Sequence, residues 1–162
     1  MEATTPAISS KETAGGASLT DLLITSCSKR KKALDNSPAI EVYDGPVYRI
    51  LRKRKPEDLI IKILSAKYGL MNSGDLISNY DRIMTFARAA ELENEVSETI
   101  YELVSGKEFG KIFINLGMPY IFVLDKRVLD LLDESCTQFA FGTIGERLHQ
   151  LSEWLKRREI GI

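Results

Sequence analysis

The sequence predicts an α/β fold: a layered, mostly parallel four-stranded sheet with helices packed on it. Three observations carry that expectation. Short apolar runs without helical spacing occur at Leu19–Ser26, Asp58–Ala66, Lys111–Leu116 and Gln138–Phe141; segments with apolar residues every three or four positions separate them; and Gly or Pro marks the joins. Strands alternating with helices imply βαβ crossovers, which run successive strands parallel and set the helices on the sheet faces.

Taken in order, Leu19–Ser26 (LTDLLITS) reads as a buried first strand that ends in the basic loop Cys27-Ser28-Lys29-Arg30-Lys31-Lys32. Between Ala39 and Lys55, Val47, Ile50 and Leu51 recur at helical spacing after Gly45-Pro46, with Arg49, Arg52, Lys53, Arg54 and Lys55 on the outer face. Asp58–Ala66 (DLIIKILSA) is β-branched and bounded by Pro56 and Gly69, as a strand requires. Asn72, Ser73 and Gly74 then read as a loop that carries on to Tyr80-Asp81. Ala87–Val104 places Leu92, Val96, Ile100 and Leu103 on one stripe of an acidic helix that stops at Gly106. Lys111–Leu116 (KIFINL) is the third strand, and Lys126–Leu132 a short helix. Gln138–Phe141 is the fourth strand, and Gly142-Thr143-Ile144-Gly145 opens a last helix to about Arg158.

The chain of 162 residues, 44% apolar, is long enough for one core, read as a single domain over 19–162. The Ala/Thr/Ser/Gly-rich stretch before it, residues 1–18, is expected to be a disordered tail. A net charge of −1 argues against a surface positively charged throughout, so any basic site must be local. The charges are nevertheless divided: residues 29–55 hold nine Lys/Arg against three Asp/Glu, and residues 75–108 hold eight acids against three bases. Cys27 and Cys136 lie far apart with no metal-ligand spacing, so neither a metal site nor a disulfide is signalled, and no cofactor motif appears. No apolar run approaches the roughly 20 residues that cross a bilayer, and no signal-peptide core is visible, so a cytoplasmic location without membrane attachment is expected.

Ligands of open α/β sheets bind outside the carboxyl ends of the strands, and here chemistry gathers at those ends. Cys27 is followed by three cations within four positions, which favours the thiolate of a nucleophile; a small hydrophobe capping a strand is the competing reading. Ser28 and Lys29 can hold a phosphate, although no GxxxxGK[ST] loop is present. Lys67, leaving an apolar strand, would be partly desolvated and thereby a nucleophile or base; Tyr68 can stack on a base and Gly69 admits a close backbone approach. Tyr80 and Asp81 add an aromatic and a carboxylate. Gly142, Thr143 and Gly145 open a helix whose first N–H groups can meet an anion, unless Thr143 is a plain cap; Glu146 and Arg147 in the first turn can pair locally or with substrate.

Three segments together resemble one known group. They are Cys27-Ser28-Lys29; Ile63-Leu64-Ser65-Ala66-Lys67-Tyr68-Gly69-Leu70 with Ile77-Ser78-Asn79-Tyr80-Asp81 and Met84; and Ile144-Gly145-Glu146-Arg147-Leu148. They look like the small YaaA-like domains of unknown function and, more distantly, the peroxide-stress YaaA proteins, whose LSxxYGLL…DLIxPYxxxM segment has this layout. Asn79 stands where that pattern has proline. The resemblance implies an oxidative-stress role with DNA binding. The residues themselves point first to an enzyme of nucleotide or nucleic-acid metabolism acting on a base or its glycosidic bond, with Cys27 or Lys67 as nucleophile. The alternative is a non-catalytic DNA-binding stress protein using Lys29–Lys32 and the basic helix.

Overall fold

A computed structural model describes residues 19–161. The tail expected over residues 1–18 lies outside them. The elements are β1 (Asp21–Ser26), β2 (Ser37–Pro38), α1 (Ala39–Val42), α2 (Pro46–Arg54), β3 (Leu59–Ser65), β4 (Gly69–Asn72), β5 (Leu76–Ile77), α3 (Phe86–Gly106), β6 (Ile112–Asn115), a 3-10 turn (Tyr120–Val123), α4 (Lys126–Asp133), β7 (Thr137–Phe139) and α5 (Ile144–Ile160).

Among the described residues the main sheet has the order β4-β3-β1-β6-β7, five strands rather than the four expected. β1, β3, β6 and β7 are parallel, and β4 folds back antiparallel on β3 with Ser65 opposite Gly69. The missed strand, Gly69-Leu70-Met71-Asn72, is too short to show alternation in the sequence. It is created by the hairpin turn before it, where Gly69 adopts φ +76°, a conformation that costs glycine little. The single helix expected between Ala39 and Lys55 is divided into α1 and α2 at Tyr43-Asp44-Gly45. β2 and β5 form a separate two-stranded antiparallel ribbon.

Helices cover both sheet faces. α3 and α4 bury Leu92, Val96, Ile100, Val128 and Leu132 against Leu22, Ile24 and Ile114. α2 and α5 bury Leu51, Leu151, Trp154 and Leu155 against Leu23 and Phe113. Helices α3 and α4 start where a side-chain oxygen satisfies a free backbone N–H: Thr85 accepts from Arg88 over 3.0 Å and Asp125 from Val128 over 2.9 Å. Among the described residues no helix is long and apolar enough to cross a membrane.

Phe113 is fully buried on the central face, with its ring 5.3 Å from that of Trp154. Phe113→Ala should lower unfolding stability by about 3–5 kcal/mol in urea titrations. A loss under about 1 kcal/mol would mean that α5 is not held through this contact.

Candidate functional site

The strand order fixes where a ligand can enter. From β1 the chain passes to β3 on one side and later to β6 on the other, so the order reverses between β1 and β6. Connections leaving adjacent strands for opposite faces open a crevice at their carboxyl ends. Cys27 directly follows β1, and its Sγ lies 3.3 Å from the hydroxyl of Tyr120, in the 3-10 turn after β6. That hydrogen bond spans the reversal. Deeper in the sheet, Asn115 Nδ2 donates to Thr25 Oγ1 over 2.9 Å, again linking β6 to β1. Both residues are buried, and Asn115 Oδ1 has no hydrogen-bond partner among the described residues.

Ser65, the last residue of β3, organises the neighbouring loop. Its Oγ accepts from the N–H groups of Lys67 at 3.1 Å and Tyr68 at 3.0 Å, which shapes the turn into β4, and it lies 2.9 Å from the Tyr80 hydroxyl. The Tyr80 hydroxyl lies in turn 2.6 Å from that of Tyr43. A hydroxyl has two acceptor sites and one proton. With both Ser65 acceptor sites taken by the backbone, Ser65 donates to Tyr80 and Tyr80 donates to Tyr43. Tyr48 packs its ring 5.3 Å from Tyr43 and donates to the Ser26 carbonyl over 2.6 Å.

Two ammonium groups face this aromatic floor. Lys31 Nζ lies 4.4 Å from the Tyr80 ring centroid; Lys67 Nζ lies 5.2 Å from the ring of Tyr68 and 5.6 Å from that of Tyr80. A cation over a ring face is attracted by its quadrupole. Burial pushes the Tyr43 phenol up to about 12, and it raises Tyr48, Tyr80 and Tyr120 as well, with the charge of a Cys27 thiolate the next cause at those three. The phenols therefore stay neutral near pH 7 beside Cys27.

Cys27, Lys67, Tyr68 and Tyr80, singled out in the sequence, thus meet at one edge, and Phe141 follows β7 at that same edge. Lys67 is exposed, so the burial expected to desolvate it is missing. Ser28 is committed to bonds within the chain: its Oγ accepts from Asp44 N and Gly45 N, each at 3.2 Å, and donates to the Arg30 carbonyl. Lys29 and Asp81 are exposed beside the cluster. Gly69 serves the hairpin. At the start of α5, Thr143 Oγ1 accepts from Glu146 N over 3.1 Å, while the Glu146 carboxylate accepts from Thr143 N over 2.7 Å. This reciprocal cap holds the Glu146 carboxyl below its ordinary range, and an anion already occupies the position expected for a ligand phosphate. Gly142, at φ +95°, brings the backbone against the Glu146 side chain, and a Cβ on Gly145 would meet open space. Arg147 lies against Gly117 after β6, where a Cβ would sit 2.8 Å from its Nη2, and its Nε is buried without a hydrogen-bond partner among the described residues.

The basic helix does not join this edge. Arg52 donates to the carbonyls of Ile40 and Tyr43 and pairs with Asp44 at 2.6 Å, and Arg54 pairs with Glu159 at 2.8 Å. Tyr43, Tyr48, Ser65 and Tyr120 escaped the sequence reading. Cys27 and Tyr120 are 93 positions apart, and no spacing rule connects them. The one local signal was Ser65, inside the resemblance segment and immediately before a turn.

The fold and this edge define a three-layer α/β domain with a cysteine, a tyrosine cluster and two lysines at its strand-order reversal. Residues 22–153 match the model of a family of unknown function (DUF6884), and the chain belongs to that family. No match was found among curated proteins or solved structures.

Tyr43 carries a pH prediction. The unfolded chain ionises its tyrosines near pH 10, whereas the folded chain keeps Tyr43 protonated to about 12, so stability present below pH 10 is lost as pH rises toward 12. Denaturation midpoints of Tyr43→Phe should fall less steeply than those of the parent across that window. Parallel curves would show that Tyr43 titrates like an exposed phenol.

Proposed function

We propose that the chain is an enzyme of nucleotide or nucleic-acid metabolism that acts on a base or its glycosidic bond, with Cys27 as nucleophile. The observation that carries this reading is the Cys27–Tyr120 hydrogen bond across the strand-order reversal, ringed by neutral phenols and two ammonium groups. A crevice at that position is where open α/β sheets hold their ligands. Aromatic faces suit a base, and ammonium groups suit the phosphate attached to it. Lys67, exposed and over two rings, is assigned to charge recognition, which leaves Cys27 to make the covalent bond.

In the base-directed form, the Cys27 sulfur attacks an electrophilic C=N carbon of the base. The S–C bond forms as the π bond breaks onto nitrogen, and the thiol proton reaches that nitrogen through the Tyr120 hydroxyl, which gives one proton and takes one. The same sulfur can displace a base from an anomeric carbon: the S–C bond forms as the C–N bond breaks, the thiol proton reaches the leaving nitrogen through the Tyr120 hydroxyl, and water then displaces the sulfur and returns a proton to it. The sequence resemblance to YaaA-like domains accords with a ligand of nucleic-acid type. The non-catalytic DNA-binding reading retains Lys29–Lys32 together with the exposed Lys53 and Lys55, because Arg52 and Arg54 are held in internal bonds.

Nucleotides, nucleosides and short oligonucleotides incubated with a Cys136→Ser protein should yield a free or altered base detectable by mass spectrometry. Cys27→Ala should reduce that yield by about a thousandfold or more, as loss of a covalent nucleophile does. Tyr120→Phe should reduce it by roughly tenfold to a hundredfold, the worth of a hydrogen bond to a charged group. If no such compound is altered, and none slows alkylation of Cys27, the enzyme reading fails.

A further inference from the structure

The two edges of the sheet are finished differently. At the amino edge, Asp21 pairs with Arg158 and accepts from Lys111 N over 2.8 Å, and Gly110 packs so closely that a Cβ would meet Asp21 Oδ1 at 2.7 Å. The amino edge exposes Leu19 and Ile160, and the carboxyl edge presents a larger group of apolar side chains, several of them aromatic, to solvent. Phe86 is 60% exposed, Met118 72%, Phe122 51% and Phe141 73%. Single exposed apolar residues are ordinary, but a group of them at one edge marks a surface that meets something. Phe86 precedes the rest of α3, Met118 and Phe122 follow β6, and Phe141 follows β7, so the group borders the cysteine site; the rings of Phe86 and Phe122 lie 5.4 Å apart.

The charge at this edge selects among occupants. Lys29, Arg30, Lys31 and Lys67 leave the strand ends here, and among the described residues none makes an ion pair with a carboxylate. On α2, by contrast, Arg49, Arg52 and Arg54 each have an acidic partner. An edge carrying exposed aromatic rings and unneutralised cations fits a polyanion with unpaired flat groups along it. An apolar protein partner would use the rings and leave the cations uncompensated. A duplex would offer phosphates and keep its base faces stacked inside, away from the rings.

We infer that the carboxyl edge binds a single-stranded polynucleotide, with Phe122 and Phe141 stacking on bases and Lys29 and Arg30 on phosphates, so that one base is delivered to the crevice at Cys27. This names the substrate class within the proposed function and rests on it for the role of Cys27. The binding itself rests on the edge alone. Stacking on exposed rings tolerates any base, so recognition along the strand is by rings and charge, and selection falls to the crevice.

The test measures fluorescence anisotropy of labelled 12-nucleotide deoxy and ribo strands, and of the matching duplex, with full-length Cys27→Ala protein, which binds without chemistry. The single strands should bind, with whichever sugar form binds tighter naming the polymer, and the duplex should bind at least about tenfold more weakly. Phe122→Ala and Phe141→Ala should each weaken single-strand binding about tenfold. Lys29→Ala with Arg30→Ala should make the dependence of affinity on salt shallower by about 0.7 per lost phosphate contact. All these side chains are exposed, and circular dichroism checks that the variants fold. Absence of single-strand binding at low salt would overturn the inference, as would duplex binding of equal strength or affinities unchanged in the ring variants. Self-association abolished by Phe141→Glu would also overturn it, by giving the rings to a second copy. Strands that bind without any base being altered support this inference and defeat the enzyme reading; mononucleotides turned over by a protein that binds no strand do the reverse.

Discussion

Everything in this molecule hangs on the parallel pairing of β1 between β3 and β6. Leu22, Leu23, Ile24 and Thr25 are fully buried, so β1 carries apolar residues on both faces and is usable only inside a sheet covered twice. One neighbour precedes the acidic helix and the other follows it, so the chain must leave the centre in both directions. That requirement creates the reversal of strand order, and Cys27 is the first residue after the strand at which it happens. A slip of one residue in this pairing would exchange the contents of the two sheet faces and carry Cys27 away from Tyr120.

Around that centre, polar groups are used in two distinct ways. At the amino edge they are closed on one another: Arg158, almost wholly buried, binds Asp21 together with the carbonyls of Glu57 and Asp58, and so ties the last helix to the starts of two strands. A buried pair of this kind holds geometry even where its net energetic contribution is small. At the carboxyl edge a hydroxyl series from Ser65 through Tyr80 to Tyr43 fixes three loops without any charge. Neutral groups can be buried beside a cysteine without placing an unpaired charge there, and Lys67 stays exposed at the surface.

The loops themselves are anchored by economical means. Ser28 ties the chain after β1 to the start of α2, and Gly45 lies close enough that a Cβ would meet the Ser28 Cβ at 2.9 Å. Asn79 donates to the Lys32 carbonyl over 2.9 Å, which joins the loop carrying Tyr80 to the basic loop carrying Lys31. The cation over Tyr80 and the ring beneath it are thereby tied by a side-chain-to-backbone hydrogen bond between residues 47 positions apart.

The sequence by itself determined the layered α/β class, four of the five sheet strands, the long helices and the gathering of Cys27, Lys67, Tyr68 and Tyr80 at strand ends. These follow from periodicity and from turn residues, which act over a few positions and are visible locally. It did not disclose β4, because a four-residue strand made by its hairpin has no pattern of its own. Nor did it disclose that Ser28 and Thr143, in the two loops expected to meet phosphate, use their hydroxyls in hydrogen bonds within the chain, since a capping oxygen and a ligand-binding oxygen are the same residue types. Only the tertiary structure placed Tyr43, Tyr48 and Tyr120 around Cys27, parted the basic helix from the basic loop and exposed Lys67. The physical reason is range. Contacts between residues dozens of positions apart depend on strand order, and strand order is set by how the whole chain covers both faces of β1, not by any segment of it.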